Sequence, residues 1–241
     1  MKLKSLACIA ALGVGAARLA LAAACLLSAL AGCASRGKDF ERPDPSSLVL
    51  GQTTIADATA RLGPPTSRAV RHSLNPAPIP QGADAQDPAL SPVKVAGTIE
   101  TLIYSYAYVA APGLVVGPMN SRSKLLALSF WNDRLTHYSF SSSFSKDSVN
   151  YNESKALSFV RGQTTRSAVI QELGPPTGEA VYPFVKTEGT RLLIYQQVST
   201  ESSGATPLTT ESVTRRKTLR LLFDSSDRLI DSSQQTSFIG S

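Results

Sequence analysis

The chain has little of what most catalytic sites are built from. Its 241 residues include two histidines, His72 and His137, three cysteines and one tryptophan. Neither histidine has a second histidine or a carboxylate cluster beside it at metal-ligand spacing. Cys8 and Cys25 lie in the apolar N-terminal stretch, which leaves Cys33 as the one cysteine of the remaining chain. That excludes a disulfide framework and a Cys–His nucleophile pair. Glycine-rich phosphate loops are missing, and the serines (Ser139, Ser141 to Ser143, Ser145) have no base paired with them. The expectation is a protein that is not an enzyme, with no cofactor, no metal and no small-molecule substrate. Charge is sparse too. Charged residues make up 17%, the formal net charge is +6, and three of those charges (Lys2, Lys4, Arg18) lie at the N-terminus. So weak a basic excess points away from a nucleic-acid partner.

What the chain does have is one stretch written twice. GQTTIADATARLGPPT runs from Gly51 to Thr66 and GQTTRSAVIQELGPPT from Gly162 to Thr177, identical at nine of sixteen positions. Self-similarity at so long a spacing marks a supersecondary unit used twice. Each copy reads as a short helix punctuated at both ends. A threonine opens it, and in the first copy Thr54 and Asp57 have capping-box spacing. Ile55, Ala58 and Leu62 form one apolar stripe, and Val169, Ile170 and Leu173 form the other. Gly63 and Gly174 supply the positive φ that ends a helix, and the paired prolines after them forbid its continuation. These residues read as structural.

Met1 to Ala31 reads as a targeting segment. The apolar run from Leu19 to Ala31 is shorter than the roughly 20 residues of a bilayer-spanning helix, so residues 1–32 are expected to be a secretory signal. The segment ends Leu30-Ala31-Gly32-Cys33. That resembles the bacterial lipobox, in which the cysteine receives diacylglycerol on its thiol and becomes the new N-terminus. Cys33 is therefore the candidate lipidation site, although Ala29-Leu30-Ala31 also fits an ordinary cleavage site. By resemblance to enteric lipoproteins, Ala34 in the following position implies the periplasmic face of the outer membrane. Residues 33–43, charged and poor in large apolar side chains, read as a solvated tether.

Asp44-Pro45 reads as an N-cap with proline at the first helical position. Copy one then carries a proline-rich insertion, residues 71–98, expected to be an extended, mobile loop. Alternating apolar residues predict strands over 101–109, 124–131 and 134–140, and again over 192–198, 218–223 and from Arg228 onward. Leu102, Tyr104, Tyr106 and Tyr108 share one face, as do Leu126, Leu128 and Phe130, and Leu219, Leu221 and Phe223. In copy two Asn152 reads as the cap of a preceding helix whose stripe is Ala156, Leu157 and Val160. The expected fold is α+β: two tandem ααβββ repeats, 44–145 and 146–241, each with two short helices packed on a three-stranded antiparallel sheet.

The order helix, Gly-x-Thr, helix, Leu-Gly-x-Pro, strand with tyrosine, then paired strands resembles the BamE (SmpA/OmlA) family of outer-membrane lipoproteins. In copy two it is carried by Val160 to Thr164, Leu173 to Pro176, Leu193-Ile194-Tyr195 and Leu219 to Leu229. The resemblance implies a lipid-anchored, non-catalytic accessory in envelope and outer-membrane protein assembly. Its partners would be envelope proteins, the barrel-assembly machinery among them. Here the unit occurs twice, and Gln52 and Gln163 replace the family's usual methionine. A tandem pair is instead similar in plan to the β-lactamase inhibitor proteins, which gives the alternative of a periplasmic binding or inhibitor protein. The candidate partner surface is the loop between the first two strands, where Leu114, Val115, Val116 and Met119 are unusual for a hairpin tip. Contact with a protein or lipid is one reading of it, and folding back over the sheet or packing on the second repeat is the other.

Overall fold

Thr54 caps its helix as its spacing from Asp57 predicts. In the computed structural model, which describes residues 34–72, 93, 95–109, 121–147, 149, 151–204 and 210–240, the Thr54 hydroxyl accepts from the Asp57 amide. The Asp57 carboxylate accepts from the Thr54 amide at 3.0 Å, closing a capping box on α1 (Ile55–Leu62). Those bonds hold the exposed Asp57 carboxyl below its ordinary range. In the second copy Thr165 accepts from the Ala168 amide and opens α3 (Arg166–Leu173). Ala58 and Val169 are fully buried at the centres of the two stripes. The cap glycines have φ 79°, ψ −170° at Gly63 and φ 78°, ψ −174° at Gly174. Positive φ with extended ψ is a region only glycine enters readily.

The helices in front of these are smaller than expected. Copy two has α2 (Glu153–Leu157), five residues capped by Asn152. Copy one has only the 3-10 turn Pro45–Ser47, capped by Asp44 with Pro45 at its start. Of the stripe predicted for α2, Ala156 is buried, whereas Leu157 is 79% and Val160 49% exposed. Five residues make little more than one turn and present too narrow a face to bury all three.

The strands are β1 (Ala34–Arg36), β2 (Ser67–His72), β3 (Thr98–Val109), β4 (Ser121–Trp131), β5 (Arg134–Ser142), β6 (Gly178–Val181), β7 (Arg191–Gly204), β8 (Thr210–Phe223) and β9 (Leu229–Gly240). They form one nine-stranded sheet in the order β1-β3-β4-β5-β6-β7-β8-β9, with β2 also paired to β3. Every pairing is antiparallel. The expectation of two tandem ααβββ repeats is therefore corrected: the molecule is mostly one large sheet with few, short helices. The physical reason lies in β2 and β6. Ser67 to His72 has no apolar alternation and is exposed throughout, because β2 lies at a sheet edge and needs only the backbone bonds that β3 offers. Gly178 to Val181 is four residues long, too short for a periodicity to show, yet it pairs with β5 on one side and β7 on the other.

The helices cover one face, above two cores. The first holds Leu102, Leu126, Leu128, Phe130 and Leu135 under α1, with Leu48 and Leu50 beside it. The second holds Leu193, Tyr195, Leu219, Leu221 and Phe223 under α3. A third core lies on the opposite face at the middle of the sheet. Ile99, Ala180, Leu192 and Ile194 are covered there by Val95, Phe184 and Val185. Part of the 71–98 insertion is thus core: Val95 is 4% exposed, and the Val93 amide donates to the Pro183 carbonyl at 3.2 Å. Residues 73–92 lie outside the described residues.

A register shift between Ser129 and Phe130 re-aims one strand. Leu135 faces the helix side, while His137, two residues on, faces the third core and stacks on Phe184 at 5.2 Å. Sequence alternation puts Leu135 and His137 on one face. The bulge, with Thr136 as the extra residue, separates them.

Candidate functional site

Cys33 and the segment holding Leu114, Val115, Val116 and Met119 lie outside the described residues. Ala34, which follows Cys33, pairs with Val109 at the end of β3, and Val109 in turn pairs with Ser121 at the start of β4. The stem of the 110–120 segment and the position after the cysteine therefore share one corner of the sheet.

The chain then runs back along the molecule as a packed strap, where sequence suggested a solvated tether. Phe40 packs edge-on against Tyr104 and Phe140, with ring centroids 6.5 and 6.3 Å away. Lys124, whose side chain is wholly buried, donates to Asp39 at 2.8 Å and to the Phe40 carbonyl at 2.9 Å, with Asp147 at 3.5 Å. Burial works to lower the Lys124 ammonium, but the bond to Asp39 and the charge of Asp147 hold it above its ordinary value. The same bond holds Asp39 below its own. Arg42 then reaches across to the second copy and donates to the carbonyls of Pro175 at 3.0 Å and Pro176 at 2.6 Å. A cleft of about 320 Å³ lies between this strap and the end of α1, lined by Lys38, Phe40, Arg42, Arg61, Leu62 and Tyr104.

Beneath the strap a polar chain crosses the middle of the sheet on the helix side. The Tyr138 hydroxyl donates to Glu179 at 3.1 Å, and Arg191 donates to the other carboxylate oxygen at 3.0 Å. Burial, then the charge of Glu179, pushes Tyr138 far above its ordinary range, so it stays a neutral donor. Among the described residues no group of three His, Cys, Asp or Glu side chains converges as a metal site. His72 lies on the edge strand β2, against the Thr98 hydroxyl at 3.2 Å.

The opposite face of the sheet is uneven. Its middle is the ridge formed by Val95, Phe184 and their neighbours. Trp131 joins it by donating its indole N–H to the Ala96 carbonyl at 2.9 Å and by packing on Tyr182 at 5.5 Å. Beside that ridge, over β3 to β5, the register aligns Ile103 with Ala127 and Ser139, and Ser105 with Leu125 and Ser141. Ile103, Ser105, Leu125, Ser139 and Ser141 are half-buried, and among the described residues neither Ile103 nor Leu125 belongs to a core cluster. This is a floor of small side chains with two aliphatic ones, walled on one side by the ridge. Sequence reasoning passed over it because attention went to the large residues at even positions. The small residues at odd positions of the same strands were the signal.

No family model and no curated protein matches the chain, so the BamE resemblance rests on the motifs that suggested it. Among solved structures, a Streptococcus mutans protein named as a candidate β-lactamase inhibitor protein is similar at 13% identity and a TM-score of 0.39, over 76% of this chain and 82% of that one. No helix among the described residues is long and apolar enough to cross a membrane.

Proposed function

We propose that this chain is a non-catalytic binding protein that takes a protein partner on the flank of its sheet opposite the helices, over β3 to β5. The observation that carries the reading is the half-buried floor around Ile103 and Leu125, flanked by the ridge at Trp131 and opposite the face that the helices cover. The small side chains of Ser105, Ser139 and Ser141 leave room for a partner's large side chains, and the two aliphatic residues give them apolar area to bury. We place the protein at the periplasmic face of the outer membrane through lipid on Cys33. A soluble enzyme, which this chain would inhibit, is the leading class of partner. Accessory work in outer-membrane assembly is the second reading. Its support is the lipobox resemblance at Cys33, together with the pairing of the next residue, Ala34, with Val109 at the end of β3.

A photo-crosslinking residue at Leu125, with a control at Leu157 on the helix side, tests this in intact cells. Crosslinks from position 125 to a soluble enzyme are expected. Crosslinks to outer-membrane barrel proteins instead would favour the assembly reading. Crosslinking from position 157 with none from 125 would sink the docking flank.

A further inference from the structure

Four cations crowd one end of the sheet. Arg36, Lys38, Arg122 and Lys146 are all exposed, and among the described residues none of them forms an ion pair. The register places them together. Arg36 pairs with Ala107 and Arg122 with Tyr108, at the end of β3 where Ala34 pairs with Val109. Lys38 precedes Asp39 on the strap, and Lys146 lies in the turn Ser145–Asp147 that follows β5. Lys124 ties these pieces to one point, with Asp39 at 2.8 Å and Asp147 at 3.5 Å. Arg122 lies 6.0 Å over the ring of Phe144, which stacks on Tyr106.

The carboxylates of this corner are already taken. Asp39 and Asp147 share the one buried ammonium of Lys124, so that group is negative by one, and the four exposed cations leave the corner positive by three. Glu41, further along the strap, lines the cleft with Arg61. The two strand turns at the other end of the sheet are balanced instead. Asp133 adjoins Arg134 there, and Asp224 and Asp227 lie with Arg228 and Arg166.

We infer that this corner seats on an anionic phospholipid surface, so that the sheet stands on the ends of β3 and β4. The inference rests on the membrane placement proposed above. The described chain enters the sheet here, at Ala34, directly after the candidate lipid-bearing Cys33. Lipid phosphates supply the counter-charge that Asp39 and Asp147 do not. Each basic residue close to an anionic surface strengthens binding roughly fivefold. Tyr106 and Phe144 add aromatic rings of the kind that settle among headgroups. An acidic protein would meet the same charges, and the entry of the chain at this corner is what selects lipid. Contact at the strand ends also keeps the flank over β3 to β5 clear of the bilayer.

The test uses the full chain purified from membranes and reconstituted in nanodiscs. A fluorescent amino acid is placed at Ser145, beside Lys146, or at Ser226, in the turn at the other end of the sheet. Lipids with spin-labelled headgroups quench a fluorophore that touches them. In discs of mixed phosphatidylcholine and phosphatidylglycerol, quenching at 145 is expected to exceed that at 226 at least ~3-fold. It should fall to the level of 226 in pure phosphatidylcholine, and in ~1 M salt, where charges are screened within about 3 Å. Arg122→Glu with Lys146→Glu reverses two exposed charges that hold no ion pair, so the quenching should be lost while the circular dichroism spectrum is unchanged. Arg122→Lys with Lys146→Arg should keep it. Equal quenching at both positions, quenching that persists in neutral lipid or after charge reversal, or none at either position, as expected of a corner that meets an acidic protein, overturns the proposal. The mass of the Cys33 peptide reports the lipid itself, so a missing anchor and a missing corner contact read differently.

Discussion

His137 carries two ring nitrogens into a core that, among the described residues, gives neither a hydrogen-bond partner. It is 0% exposed, and its ring stacks on Phe184. Burial alone drives its pKa down to about 3. The direction of the pH effect follows from linkage. The unfolded chain takes up a proton near the ordinary value of about 6.5 and the folded protein does not, so protons favour unfolding between those two values. The stability that comes from keeping the imidazole neutral is complete above pH 6.5 and declines as pH falls toward 3. Urea unfolding at pH 7.5, 6.0 and 5.0 is expected to lose stability with a slope approaching 1.4 kcal/mol per pH unit, roughly the linkage maximum for one proton. His137→Leu removes the titration and both unpartnered nitrogens. It should flatten that slope and leave stability at pH 7.5 equal or up to about 2 kcal/mol higher. An unchanged slope in the variant would mean that another group sets the acid response.

Elements differ in how openly the sequence announces them. β3, β4, β5, β7 and β8 show because each carries Leu, Tyr or Phe on the helix-covered face, as Leu126, Leu128 and Phe130 do in β4. Helices α1 and α3 show because their caps are chemical: a threonine at one end, glycine and two prolines at the other. The strands that were not legible take their pairing from neighbours. β2 is exposed along its length, and β6 is only four residues long. The strap was hidden for a related reason. One aromatic, Phe40, and one buried cation 84 positions further on, Lys124, fix a segment whose composition reads as solvated. The docking flank lies in the small residues that alternate with the core, a pattern that carries little periodic signal. The cap prediction can be weighed directly. At Gly174 an added Cβ meets nothing within 4 Å, so its cost is backbone conformation alone. Gly174→Ala is expected to lose about 1–3 kcal/mol in urea unfolding, with the sheet intact by circular dichroism. A loss below about 0.5 kcal/mol, the range of an ordinary surface substitution, would show that the helix ends without needing that conformation.

At the scale of the molecule the two related halves are one sheet only because β5 and β6 meet, and they meet over three residue pairs: His137 with Ala180, Tyr138 with Glu179 and Ser139 with Gly178. Around this seam lie the Tyr138–Glu179–Arg191 chain, the reach of Arg42 to Pro175 and Pro176, and the packing of Trp131 on Tyr182. Gly178 is the tightest point. A Cβ there would sit 2.7 Å from the Tyr138 carbonyl oxygen and 3.2 Å from the Ser139 Cα, both backbone atoms of β5. Neither can swing aside as a side chain does, so Gly178→Ala must push β6 away from β5, at a cost of about 1–3 kcal/mol typical of overpacking. The strain falls on the junction and spares the cores under α1 and α3. The chain's one tryptophan, Trp131, lies on β4 and touches Tyr182 just past β6, so its fluorescence reports the seam while far-ultraviolet circular dichroism reports the whole sheet. In the unaltered protein the two signals should change together in urea, as one cooperative unit. In Gly178→Ala the fluorescence transition should move to lower urea and separate from the circular dichroism transition, because the halves come apart before either core melts. Coincident transitions at an unchanged midpoint would show that the three-pair seam is not what joins the halves, and that the strap anchored by Lys124 and Arg42 does so instead.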